Sequence, residues 1–172
     1  MKLELKNIYF MDTSALVIVQ RYYPISLFPD LWNNLDKLFW NERIISHDFV
    51  YDEIVPSTGA KDEIAKLVSR YKKYFKKISK RQAQLVPEII GLFPALIDPK
   101  SKKNEADPWL ISLVFEEMEL KGIFGDESEY VIVSNESKKN PNKIPAVCKH
   151  YNIRHMSLFE FYEDNGWKFK IN

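Results

Sequence analysis

A chain of 172 residues, 45% hydrophobic and 28% charged, has the size and composition of one globular domain, 1–172, with a full core. The single Cys148 excludes an internal disulfide and a cysteine-rich metal site, and no apolar run is long enough for a signal peptide or a membrane span, so a cytoplasmic protein with no membrane partner is expected. A formal net charge of +1 neither favours nor forbids a nucleic-acid partner, so any basic surface must be local.

Lys2 to Lys6 alternates charge with leucine and leads into Ile8-Tyr9-Phe10-Met11, an uncharged run suited to a strand buried on both faces. Asp12 follows, then Thr13 and Ser14, either of which can cap the helix begun by Ala15-Leu16-Val17. This order puts Asp12 at the carboxyl edge of a first strand, where open α/β sheets bind ligands. Taken alone, the residue reads more readily as a cap or a turn.

Pro29 opens a second helix, with Leu31, Trp32, Leu35, Leu38 and Phe39 on one face and Trp40 at its end. Arg43 to Ser46 reads as a short second strand. His47 to Val55 reads as a helix stopped by Pro56 and Gly59. Helical spacing puts Glu53 on the apolar stripe with Phe49, Val50 and Ile54, and Asp48 and Asp52 on the other face. A carboxylate on a buried face needs a partner, and a structural ion pair explains Glu53 as well as a functional role does.

From Lys61 to Leu96 the pattern is helical but weaker. Ile64, Leu67, Val68 and Tyr71 keep helical spacing, and a basic tract of Arg70, Lys72, Lys73, Lys76, Lys77, Lys80 and Arg81 is interleaved with Tyr71, Tyr74 and Phe75. Such a tract can contact phosphates and stack bases, or form a solvated face with aromatic anchors. Pro87, Gly91 and Pro94 predict a kinked or broken helix. Pro99 to Lys103 reads as a polar loop able to act as a lid.

Asp107 is expected to cap, and Pro108 to open, a long helix. Leu110, Ile111, Val114 and Met118 lie in line with the acid, and capping alone does not require that alignment. After a turn-rich Gly122 to Glu129, Tyr130 to Val133 is the clearest buried strand. Ser134-Asn135-Glu136 then follows it as Asp12-Thr13-Ser14 follows the first strand. Lys138 to Lys143 is a polar loop. Ile144 to Tyr151 predicts a helix, Arg154 to Met156 a strand, Ser157 to Asp164 a capped helix, Gly166 its C-terminal turn and Trp167-Lys168-Phe169 an edge strand.

Alternating strands and helices argue for a parallel α/β sheet. The chain has no glycine-rich phosphate loop, no Cys/His zinc spacing and no G-x-S-x-G elbow, and His47, His150 and His155 are scattered and read as structural. What the pattern gathers is carboxylates and hydroxyls, hard oxygen donors suited to Mg²⁺ or Mn²⁺. Carboxylates sharing a site repel one another unless a cation neutralises them, and that cation can hydrolyse phosphodiesters.

Strand–Asp12-Thr13-Ser14, Glu53, Ala106-Asp107-Pro108-Trp109-Leu110-Ile111 and Val131-Ile132-Val133-Ser134-Asn135-Glu136 together resemble the PIN-domain family of nucleases. Tyr22-Tyr23-Pro24, Lys143 to Cys148 and Gly166 to Phe169 extend the likeness to an uncharacterised subgroup similar to VapC-type toxins. The resemblance implies a three-layer PIN-like fold with a central parallel sheet flanked by helices. It implies an endoribonuclease, the toxin of a toxin–antitoxin pair, in which carboxylate-held Mg²⁺ or Mn²⁺ activates water against RNA. By position Asp12, Glu53, Asp107 and Glu136 would be the catalytic, metal-holding acids, supported by Thr13 and Ser134. The family usually has Asp at the position of Glu136 and often Thr at that of Ser134. Lys72, Lys73, Lys76, Lys77, Lys138 and Lys139 would guide RNA. The partners implied are RNA, an antitoxin protein and a second copy of the chain, with 61–103 as a candidate surface. Two rivals are a non-catalytic PIN-like RNA- or protein-binding module, with the acids as caps and ion pairs, and a small metal-dependent phosphatase.

Overall fold

Short apolar runs separated by amphipathic stretches build one all-parallel sheet in this computed structural model, which describes residues 6–100, 105–124 and 127–169. The strands are β1 (Asn7–Met11), β2 (Ile44–His47), β3 (Phe75–Lys76), β4 (Glu129–Val133) and β5 (Arg154–Met156). They pair in the order β3-β2-β1-β4-β5, with Tyr9 opposite Ile44 and Val131, and Val133 opposite Met156. Eight α-helices occur among the described residues: α1 (Thr13–Tyr22), α2 (Pro29–Trp40), α3 (Asp48–Ile54), α4 (Glu63–Arg70), α5 (Lys80–Leu92), α6 (Ala106–Phe124), α7 (Ile144–His150) and α8 (Leu158–Asp164). None is long and apolar enough to cross a membrane.

The expected three-layer α/β arrangement follows from the period-2 alternation of the strands. Tyr9, Met11, Ile44, Val131 and Val133 enter one core with residues of α1, α2, α3, α4 and α8. Phe10 and Ile132 enter the other, with Leu85 and Ile89 of α5, Leu110, Ile111 and Val114 of α6, and Val147 and Cys148 of α7. Both faces being covered explains why the strand sequences read as unbroken apolar runs. The chain leaves β1 toward β2 and β3, then crosses to the other side of β1 for β4 and β5. The switch point therefore lies between the carboxyl ends of β1 and β4, where open parallel sheets form their binding crevice.

Several local expectations need correction. Asp12, not Thr13 or Ser14, caps α1, accepting from the Ser14 amide at 3.0 Å. β3 is a strand that a two-residue run could not announce. Of the kink or break expected over Pro87, Gly91 and Pro94, α5 runs unbroken through Pro87 and Gly91 and ends at Leu92, before Pro94. Pro87 is exposed, and burial of Leu85 and Ile89 against α6 outweighs its cost of about 3 kcal/mol. Pro94 instead opens a short 3-10 turn after α5. Trp167 to Phe169 adds no strand; Trp167 stacks on Tyr162 at 5.7 Å and Phe169 meets Tyr162 edge-on at 5.2 Å, so the tail buries rings on α8 instead of pairing. Met118 is 39% exposed, beyond the buried part of α6. Ser157 does cap α8, in a reciprocal box with Glu160, and Gly166 turns at φ 65°. Lys2 to Leu5, most of the expected lid at 101–103, Asn104 and Asp126 lie outside the described residues.

Candidate acidic site at the carboxyl edge

Asp12 sits where β1 gives way to α1, and its amide donates to Val133 O at 2.9 Å, which ties it to the end of β4. One carboxylate oxygen, Oδ2, accepts from the amide and hydroxyl of Ser14. The Ser14 hydroxyl also accepts from the Asn135 amide at 2.9 Å, so one side chain joins the two strand ends. The other oxygen, Asp12 Oδ1, is buried without a hydrogen-bond partner, a condition shared by Asp48 Oδ1 and Tyr162 OH. Asp12 is thus both a cap and an acid with a spare, desolvated oxygen. Burial, then the neighbouring charge of Glu136, pushes its carboxyl up to about 6 against the pull of Ser14.

Asp107 is the second residue of α6, not its cap. Glu53 takes over helix capping from across the cleft, accepting from the Ala106 amide at 3.3 Å through Oε1, while its Oε2 accepts from the Thr13 hydroxyl. Thr13 therefore supports Glu53 directly. Glu53 itself is exposed, which corrects its expected place on the buried stripe: α3 ends at Ile54 and its last turn opens onto the edge. Free of the cap, Asp107 faces the cluster. Burial raises its carboxyl first, followed by the charges of Asp12 and Glu136, with Glu53 adding less and Lys143 opposing, to about 8.

Glu136 completes the set from the β4 side. Its Oε2 accepts from the Ile144 amide at 2.9 Å at the start of α7, and its Oε1 pairs with Lys143 Nζ at 3.0 Å. Lys143 also feels Asp107 and Asp12, which with Glu136 hold its ammonium pKa above the ordinary value. It is the cation the site already possesses, and sequence reasoning missed it, because a lysine in a polar loop seven residues after Glu136 has no periodic link to the acids. Ser134 is buried and pairs with His155 Nε2 at 2.9 Å, so its hydroxyl is engaged beside the cluster and not with an acid.

The structure thus brings Asp12, Glu53 and Glu136 within electrostatic reach of Asp107 at the switch point. As they stand, no three Asp, Glu, His or Cys side chains among the described residues form a set able to hold a metal ion. Glu53 and Glu136 each hold a helix-start amide and a second donor. A cleft of about 420 Å³ borders Glu53, walled by Val17, Gln20, Arg21, Ile54, Asp62 and Ile64. Another, of about 580 Å³, lies by Tyr130 and Arg154 at the amino edge, away from the acids.

The lysines divide. Lys72 Nζ lies 4.5 Å from the Tyr51 ring centre, Lys73 Nζ 4.6 Å from that of Tyr74, and Lys138 pairs with Glu160 at 2.5 Å. Lys139 is exposed, and its amide donates to Ser137. Lys76 is held opposite His47, so Lys76 and Lys77 bring the basic tract to the carboxyl edge.

A buried polar relay also escaped the sequence. His47 Nδ1 accepts from the Phe49 amide at 3.1 Å, which makes Nε2 the donor to Gln82 Oε1 at 3.2 Å. Gln82 Nε2 donates to Glu116 at 2.7 Å, and Ser79 donates to the other Glu116 oxygen at 2.6 Å. Burial holds the imidazole pKa below its usual value. The sequence reading of His47 as structural describes this role.

Fold and site define an open, parallel α/β protein with an acidic crevice of hard oxygen donors at its switch point. The model of the domain of unknown function family DUF4411 matches residues 9–169, and the chain belongs to that family. No curated protein matches it.

Proposed function

We propose that this protein is a PIN-like, Mg²⁺- or Mn²⁺-dependent endoribonuclease, acting in the cytoplasm as the toxin of a toxin–antitoxin pair. The observation that carries the reading is Asp12 Oδ1, buried and unpartnered, with Asp107 repelled by Asp12 and by two further acids, Glu136 and Glu53. Burying carboxylates together is unfavourable unless a cation joins them, and an oxygen-only donor set fits Mg²⁺ or Mn²⁺. When bound, that ion supplies an activated water and a counter-charge for the leaving oxygen.

In this reading Asp12 and Asp107 hold the ion. Glu53 and Glu136 join when they give up a present partner, Glu136 by releasing Lys143. Ser14 fixes the Asp12 carboxylate and Thr13 steers Glu53. Lys143, freed, faces the incoming phosphate. Lys76, Lys77 and Lys139 guide RNA, with Lys72, Lys73 and Lys138 contributing through their exposed ends. An antitoxin or a second copy of the chain would cover part of 61–103.

A second reading, a PIN-like module that binds RNA or protein without cutting, is favoured by one observation. Glu53 and Glu136 already serve as helix-start acceptors, and the acids do not form a ligand set as they stand. Incubation of the purified protein with mixed RNAs, with and without Mn²⁺, separates the two. The nuclease reading predicts Mn²⁺-dependent cleavage that Asp107→Asn abolishes. RNA left intact under both conditions supports the binding module, and phosphate released from monoesters with RNA intact supports a phosphatase.

A further inference from the structure

Two residues after Asp107, about 200° round the helix, Trp109 turns from the acids toward β2 and α3. Its indole lies nearly parallel to the His47 ring, 28° apart with centres at 5.8 Å, and meets Phe49 edge-on at 5.5 Å. Trp109 belongs to neither hydrophobic core and remains partly exposed. Phe49 stands one turn before Glu53 on α3, about 6 Å along the axis. The aromatic group and the acid cluster are therefore neighbours on one edge.

The backing of this tryptophan is fixed to an unusual degree. Both nitrogens of His47 are engaged, and the relay through Gln82, Glu116 and Ser79 holds the imidazole plane. Lys76 pairs opposite His47 at the same sheet edge, with Lys77 next in sequence, and the charge of Lys76 is also felt by Glu117. A partly exposed indole, backed by a fixed imidazole on the edge that carries the acids and Lys76, has the composition of a site that stacks bases while cations follow the backbone.

We propose that Trp109, backed by His47 and edged by Phe49, is a stacking platform for one nucleobase of a single-stranded RNA whose backbone crosses the acid cluster. This rests on the substrate class proposed above. It adds a binding residue that touches the base and not the reacting phosphate.

The test is binding of a fluorescein-labelled 12-nucleotide oligouridylate under chelation, so that cleavage plays no part. A base-less oligomer of the same length serves as the comparison. Trp109→Leu should weaken oligouridylate binding about 5- to 150-fold, the range for loss of one base–aromatic stack. Trp109→Phe, which keeps a ring, should retain most of the affinity. On the base-less chain the three proteins should bind alike. Oligouridylate should quench tryptophan emission in the parent but not in Trp109→Phe, although Trp32, Trp40 and Trp167 remain there. The proposal is overturned if Trp109→Leu binds oligouridylate like the parent, loses as much on the base-less chain, or if the parent binds neither oligomer, which would point to a protein partner. Cleavage is scored separately with Mn²⁺. Binding without cleavage removes the nuclease and leaves the platform; cleavage unaffected by Trp109→Leu, with binding also unaffected, removes the platform and leaves the nuclease.

Discussion

Replacing Asp12 by Asn separates its two oxygens. The cap survives, because Asn is as good an N-cap as Asp and keeps one oxygen for Ser14. The charge is lost. In the folded protein burial, and secondarily Glu136, push the carboxyl from its ordinary 3.8 up to about 6. A raised acid pKa means the native state holds its proton longer. The cost of ionising Asp12 is absent below about pH 4, grows through pH 6 and persists above it. A carboxyl moved from 3.8 to about 6 puts that cost at about 3 kcal/mol. In chelator at pH 8, Asp12→Asn should therefore be more stable than the parent by about 2–3 kcal/mol, roughly 5–10 °C in Tm for a chain of this size. At pH 3.5 the difference should vanish. Thermal melts followed by circular dichroism at the two pH values measure this directly, and added Mn²⁺ should raise the parent's Tm but not the variant's. A variant no more stable than the parent at pH 8, or equally stabilised at both pH values, would refute the reasoning.

Lys143→Met removes the cation paired with Glu136. The chelated protein should lose about 1 kcal/mol at pH 8, as fits a partly exposed pair, and bind Mn²⁺ several-fold more tightly because no ammonium competes; unchanged Mn²⁺ affinity on titration would count against the exchange. Gln82→Leu leaves the His47 Nε2 proton and one Glu116 oxygen, Oε2, without their partner, with an expected loss of about 1–3 kcal/mol by urea denaturation. Ser157→Ala breaks the capping box of α8 and should cost about 1 kcal/mol, read from the same urea curves with an unchanged slope.

The layers were legible because each central strand alternates between two covered faces, which leaves a run such as Tyr9-Phe10-Met11 with no polar position. Asp12 and Glu136 were legible for a related reason: they follow the two longest such runs, which meet at the switch point. Glu53 was found but placed wrongly, since its role depends on capping a helix 53 residues away. Asp107 was found through the Asp-Pro pair, although the cap it suggested is supplied by Glu53. Lys143, Ser14 and the His47 relay were illegible because each is defined by contacts between distant segments. The short β3 and the aromatic docking of Trp167 and Phe169 gave local patterns too brief or too ambiguous to decide.

Calorimetric titration with Mn²⁺ at pH 7, in two buffers of different ionisation enthalpy, tests the shared site most directly. With its carboxyl raised to about 8, Asp107 is largely protonated at pH 7 and must release that proton to become a ligand. Binding should be saturable, with close to one proton released per ion, and both should be lost in Asp107→Asn. Binding that releases no proton, or that Asp107→Asn leaves unchanged, would contradict a single cation held between Asp12 and Asp107.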